Sequence, residues 1–253
     1  MSLPPRPPKS KVTACFVLYE DDQIIAVHKP AGVLSHPNNP RGVPGHNCAF
    51  EGAYDFSDRR FETPEGALWL IHRLDQDASG ILIAAKDREN MQKMRRIFEE
   101  NRIEKDYIVL LAGLIRPPKG TWRDALDEQR KDGNVRAYVL KSGKPNAELH
   151  YIAKETFVHA GEPLTLVQIK LVSGRTHQIR VQSEYRGMPV AGDDIYGRFT
   201  LNRRLKKESI LKRLFLHAFR LSFFHPTSGR KLEILDPLPD DLEIALSKLQ
   251  KRR

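Results

Sequence analysis

The stretch that most limits what this chain can fold into is Ile81-Leu82-Ile83-Ala84-Ala85, an apolar run with no polar interruption. So short a run reads as a buried strand. Ser79-Gly80 just before it supplies the small polar residue and glycine of a tight turn. One carboxylate, Asp75, precedes the turn and stands two residues from Arg73. A carboxylate on a loop feeding a buried strand is held rigidly yet stays accessible, which suits a nucleophile or a general base. The same placement suits a turn aspartate that caps local amides. Spacing alone leaves both readings open.

Composition narrows the class. The chain has 253 residues, enough for one large domain or two small ones. No apolar run approaches the roughly 20 residues of a membrane helix, and Met1 to Lys11 has Pro and Lys but no apolar centre, so it is not a secretory signal. Residues 1–13 are expected to be a disordered leader. Two cysteines exclude a disulfide framework and point to a reducing, cytoplasmic setting. Cys15 lies in an apolar run and is expected to be a core thiol. The histidines form no zinc-binding spacing, so no metal is expected. The net charge of +10 points to a polyanionic partner. Anionic membrane fits less well, because no strongly amphipathic basic helix is evident.

Along the chain, Cys15–Tyr19 and Gln23–Val27 read as strands. Residues 38–68, with Gly, Pro and Asn and little periodicity, read as a loop-rich connection. His46 and Tyr54 within it take no role. Met91, Met94, Ile97 and Phe98 recur at helical spacing behind a candidate N-cap, Asp87. Lys105–Gly113, Ala147–Ile152, Leu164–Leu171, Leu214–Phe224 and Lys231–Leu235 read as strands. Ile115–Asn134 reads as turns with a short hairpin, and Asp240–Leu249 as a short helix. Ser173-Gly174-Arg175, followed by a polar helix start, would bring backbone amides and the guanidiniums of Arg175 and Arg180 into one anion-binding neighbourhood. Arg198–Arg213 holds seven cations and one acid, and reads as a solvated linker or a phosphate-contacting loop. Strands outnumber helices without alternating with them, which favours α+β over a doubly wound sheet.

Four of these stretches together resemble the RluA-type RNA pseudouridine synthases. His72-Arg73-Leu74-Asp75, with Ser79-Gly80 and a strand ending in Ala85-Lys86, resembles the family's catalytic motif, although Ala78 stands where Thr is usual. Lys29-Pro30-Ala31-Gly32 with the later His36-Pro37 resembles its first motif, which is mainly structural there. Lys105-Asp106-Tyr107 resembles its Lys-x-Tyr. Gly174-Arg175-Thr176-His177-Gln178-Ile179-Arg180-Val181 resembles its Arg-rich segment, and Gly187 to Gly197 continues the match; Gln182 replaces a usual His.

The resemblance implies an α+β fold: a large mixed, mainly antiparallel sheet in two halves, with flanking helices and a central RNA-binding cleft. It implies one catalytic domain over residues 14–253, without an appended N-terminal RNA-binding domain. The activity implied is isomerisation of uridine in structured RNA, ribosomal or transfer, to pseudouridine. The lack of an appended domain favours a small substrate such as tRNA. Nothing is consumed, so no cofactor is expected. Asp75 would be the nucleophile or base, Arg180 its paired cation, and Tyr107 the ring stacked on the flipped base. Arg73, His72, Arg175 and His177 would bind substrate, and Arg203, Arg204, Lys206 and Lys207 would contact phosphates. A monomer is expected. A catalytically inactive RNA-binding or ribosome-assembly protein on the same fold is the rival; the presence of Asp75, Tyr107 and Arg180 argues against it. A hydrolase built on His72 and Asp75 lacks a third orienting group.

Overall fold

A computed structural model describes residues 15–38, 47–131 and 134–252. The expected leader and His46 lie outside the described residues. In chain order the elements begin with β1 (Phe16–Glu20), β2 (Ile24–Lys29), β3 (Ala53–Asp55), β4 (Arg60–Thr63), β5 (Gly66–Leu70), β6 (Ser79–Ala85), α1 (Arg88–Glu99) and β7 (Ile103–Leu111). They continue with β8 (Lys119–Asp124), β9 (Leu126–Lys131), β10 (Asn134–Val139), β11 (Ala147–His159), β12 (Glu162–Leu171), α2 (Gln178–Tyr185) and α3 (Phe199–Lys207). The last are β13 (Leu216–Phe224), β14 (Lys231–Leu235), α4 (Asp240–Ser247) and β15 (Gln250–Lys251). The fold is α+β, as expected. It divides into two units, one ending at Glu104 and resuming over Ala218–Pro237, the other comprising Lys105–His217 and Leu238–Arg253.

In the first unit β6 is central, and all of its residues are buried. It pairs antiparallel with β2, Ile24 facing Ala85 and Lys29 facing Gly80, and its far end pairs with β5. Its unbroken apolar pattern follows from burial on both faces. Leu82 and Ala84 join Cys15, Val27, Phe50 and Phe61 on one side, while Ile81 and Ile83 meet Met94, Ile97, Leu221 and Phe223 on the other. Burying each large aliphatic chain contributes about 1.5–3 kcal/mol. Helix α1 forms as its spacing predicts: Asp87 caps it by accepting the Asn90 N–H at 2.8 Å, and Met91, Met94 and Ile97 face inward. Burial pushes the Cys15 thiol up to about 11, as befits a core residue. The 38–68 stretch departs from the expected loop: its second half forms the antiparallel meander β3–β4–β5. Short strands with few alternating residues leave little periodicity to find.

In the second unit β11 and β12 form a long hairpin whose turn, Ala160-Gly161, takes positive φ at both residues, the geometry that matches strand twist. β12 also pairs with β7, and β11 pairs with β8 and β15. β9 and β10 form a separate hairpin. Leu201 and Leu205 of α3, Phe215 and Leu242 of α4 close the core over Leu110, Phe157 and Leu164. The Arg198–Arg213 run is therefore mostly helix, not a loop. Its two buried leucines lie at i, i+4 within a cationic background that masks them at sequence level. No helix among the described residues is long and apolar enough to cross a membrane.

Candidate active site

In the first unit, residues 71–78 link β5 to β6 and carry Asp75, half-buried. The Asp75 carbonyl accepts the Ala78 N–H at 3.2 Å, which closes the turn. Ser79 and Gly80 belong to β6 and not to the turn. Gly80 has φ +126, and a Cβ there would lie 2.3 Å from the Ala218 carbonyl oxygen, so close backbone approach is what requires glycine.

Two buried polar side chains pin the loop. Ser35 Oγ donates to the Leu74 carbonyl at 2.9 Å and accepts the Leu74 N–H at 3.0 Å, fixing the residue next to Asp75. Lys29 is fully buried, and its ammonium donates to the carbonyls of Val33 and Ala78 at 2.7 Å, Pro30 at 2.9 Å and Gln76 at 3.1 Å. A buried charge must be well partnered to persist; here it ties the Pro30–Val33 turn to the Asp75 loop. The Gly32 N–H adds a bond to the Gln76 carbonyl at 2.8 Å. The structural role expected for this turn is thus carried by Lys29, with Ser35 beside it.

His72 stacks on Phe98, ring centroids 5.1 Å apart, and its Nε2 accepts the Ile83 N–H at 3.3 Å. The ring is engaged inside the unit, holding the loop against β6 and α1. Arg73 is exposed and donates through Nη1 to His36 Nε2 at 3.1 Å. His36 stacks on Tyr54 and gives its Nδ1 proton to the Pro37 carbonyl. Burial first, then Arg73 and Arg59, lower its pKa below 6.5. The imidazole therefore stays neutral at pH 7 and can accept from Arg73. Tyr54, without a role on sequence grounds, is the platform for that histidine.

In the second unit Tyr107 lies at the middle of β7 opposite Ile169, with only 8% exposed, so it is not a strand-end residue. Strand alternation puts Lys105 on the same face, and burial lowers the Lys105 pKa. The two guanidiniums expected to share one anion site have separate partners. Arg175 Nε donates to the Asn146 carbonyl at 3.1 Å, and its N–H is taken by Gln178 Oε1. Arg180 is 2% exposed and forms a two-point fork with Asp193, Nε to Oδ2 at 2.7 Å and Nη2 to Oδ1 at 2.9 Å. Its guanidinium carbon lies 5.3 Å from the centre of the Tyr196 ring. His177, in the left-handed region at φ +51, bonds Tyr196 Oη through Nδ1 at 3.0 Å. Desolvation raises the Asp193 pKa, but the Arg180 bonds and charge and the backbone donors outweigh it, so the carboxyl sits below its ordinary value. Asp193 and Tyr196 lie in a stretch that matched as a motif without suggesting a role. The signal was Arg180 itself, since a guanidinium set between Ile179 and Val181 on a short helix needs a nearby carboxylate.

Arg203, Arg204, Lys206 and Lys207 are exposed on α3, with no ion pair among the described residues. Arg198 and Arg213, at the ends of the same run, pair with Glu162 and Asp241. No cluster of three or more metal-ligating side chains occurs among the described residues.

The first unit carries a carboxylate loop pinned by buried donors, and the second a buried forked arginine and a basic helix whose exposed cations suit a polyanionic partner. Residues 23–185 match the family model described as RNA pseudouridylate synthase. The ribosomal large subunit pseudouridine synthase C of Escherichia coli K12 is 36% identical over 97% of this chain and 73% of its own length. That of Vibrio cholerae is 36% identical over 98% and 75%. The human RNA pseudouridylate synthase domain containing 1 superposes with TM-score 0.69 at 25% identity, covering 98% of this chain and 92% of its own. The chain belongs to the RNA pseudouridylate synthase family, and its activity is that family's isomerisation of uridine in RNA.

Proposed function

We propose that this chain acts on ribosomal RNA of the large subunit, with Asp75 as the catalytic carboxylate. The relatives' names favour this substrate over the smaller tRNA. In the reaction the N1–C1′ bond breaks, the uracil turns, and a C5–C1′ bond forms as C5 gives up a proton to solvent and N1 takes one up; the atoms balance without a cofactor. Asp75 acts as the nucleophile or base at the sugar or the uracil. Arg180 supplies its paired cation. Tyr107 offers a face to the flipped base. Arg73, held by neutral His36, meets the displaced nucleotide, Arg175 and His177 line the approach, and the α3 cations hold phosphates. His72 acts by holding the loop.

The observation that carries this reading is the Asp75 loop, where Ser35 and Lys29 fix the backbone on either side of one half-buried carboxylate. Asp75→Asn keeps the shape and removes the charge. Tritium release from C5-labelled uridine in rRNA should vanish while RNA affinity changes little, and activity within tenfold of wild type would remove Asp75 from the chemistry. Pseudouridine mapping of rRNA and tRNA with and without the gene identifies the substrate.

A further inference from the structure

The structure assigns Asp193 as the positioning residue for Arg180, with Asn202 of α3 holding Asp193 in turn. This rests on the reading of Arg180 as a working group of the site. Asp193 is 0% exposed, and its carboxylate accepts four hydrogen bonds: Oδ2 takes Arg180 Nε, and Oδ1 takes Arg180 Nη2 and the N–H groups of Ile195 and Tyr196 at 2.8 and 2.9 Å. The fork fixes the guanidinium within its plane. The Tyr196 ring, whose hydroxyl accepts the Ala137 N–H at 2.8 Å, flanks its carbon. Two independent contacts thus set the tilt and the rotation of one side chain. Because the fork uses Nε and Nη2, the Nη1 edge is directed away from Asp193.

The support is itself clamped. Asn202 Oδ1 accepts the Gly192 N–H and Asn202 Nδ2 donates to the Asp193 carbonyl, both at 2.9 Å. A Cβ on Gly197 would lie 2.0 Å from that same carbonyl oxygen and 2.5 Å from Asn202 Nδ2, so the loop closes tightly around the clamp. A side chain needed only for burial would not require bonds to both edges of the loop from a neighbouring helix.

The test is a double-mutant cycle in single-turnover pseudouridine formation, with RNA affinity and thermal unfolding measured in parallel. Misplacing a catalytic group by about 1 Å can cost on the order of 100-fold. Asp193→Asn should slow the rate about 100-fold and Asn202→Ala about tenfold, at unchanged RNA affinity. In an Arg180→Lys background neither should slow it further, because both act through the arginine. If Asp193→Asn does not fold, Asn202→Ala decides: a rate within twofold of wild type overturns the inference, as do effects that multiply in the cycle. Wild-type rates for both variants beside an inactive Arg180→Lys overturn the inference alone. A fully active Arg180→Lys overturns the reading of Arg180 and the inference with it.

Discussion

Replacing Lys29 by Met should destabilise the first unit and slow catalysis together. The ammonium is fully buried and lies within bonding distance of four carbonyl oxygens, two of them, Gln76 and Ala78, one and three residues after Asp75. Three N–H protons serve those acceptors, and hydrogen bonds to a charged group contribute about 1.5–3 kcal/mol each. Met fills much of the volume and restores some apolar burial, but the carbonyls lose their donor. The net cost should be about 3–5 kcal/mol, because buried acceptors left unsatisfied cost about 1–3 kcal/mol each and the removal of the ammonium's own burial cost offsets part of their sum. For a chain of this size about 1 kcal/mol moves the unfolding midpoint by about 2–4 °C, so a fall of about 10 °C is expected. Differential scanning calorimetry reads the midpoint, and single-turnover tritium release reads the loop. Because Ala78 and Gln76 lose their anchor, the rate should fall even at temperatures where the variant is folded. A midpoint within about 2 °C of wild type and an unchanged rate would show that the carbonyls keep the loop in place without the lysine.

Tyr107→Ala should damage the single-turnover rate far more than RNA affinity, since stacking contributes about 1–3 kcal/mol per base to a flipped state; Tyr107→Phe at wild-type rate would mean that the ring alone matters. Replacing Arg203, Arg204, Lys206 and Lys207 with Ala should flatten the log–log salt dependence of RNA binding, by about 0.7 for each single-strand phosphate no longer neutralised; an unchanged slope would make α3 a solvated face. The His36 pKa is depressed below its ordinary 6.5, so the unfolded chain takes up that proton first as pH falls. Stability should therefore decline below about pH 6.5 and level off once folded His36 is also protonated, and the bond from Arg73 to His36 should break over the same window. Melting curves of His36→Gln, which lacks the titration, should show a shallower decline, and identical pH profiles would refute the assignment.

Much was legible in the sequence because one physical constraint acted locally. The unbroken run Ile81–Ala85 specified a strand buried on both faces, and the Met91–Ile97 spacing behind Asp87 specified α1, since both patterns are set by side-chain periodicity alone. The residue types at 72–75, 105–107 and 174–181 marked the family. Other features were invisible until the chain was folded. Gly80 looked like a turn residue; the tertiary approach of Ala218 is what requires it. The cationic run 198–213 concealed α3, whose two leucines acquire meaning only against Phe157 and Leu164. Lys29 and Ser35 sit more than thirty residues from the loop they anchor, and Asp193 thirteen from Arg180. A buried polar group declares only that it needs a partner. Which partner it finds is decided by packing that brings distant backbone carbonyls and carboxylates within hydrogen-bond range, and that information resides in the tertiary structure.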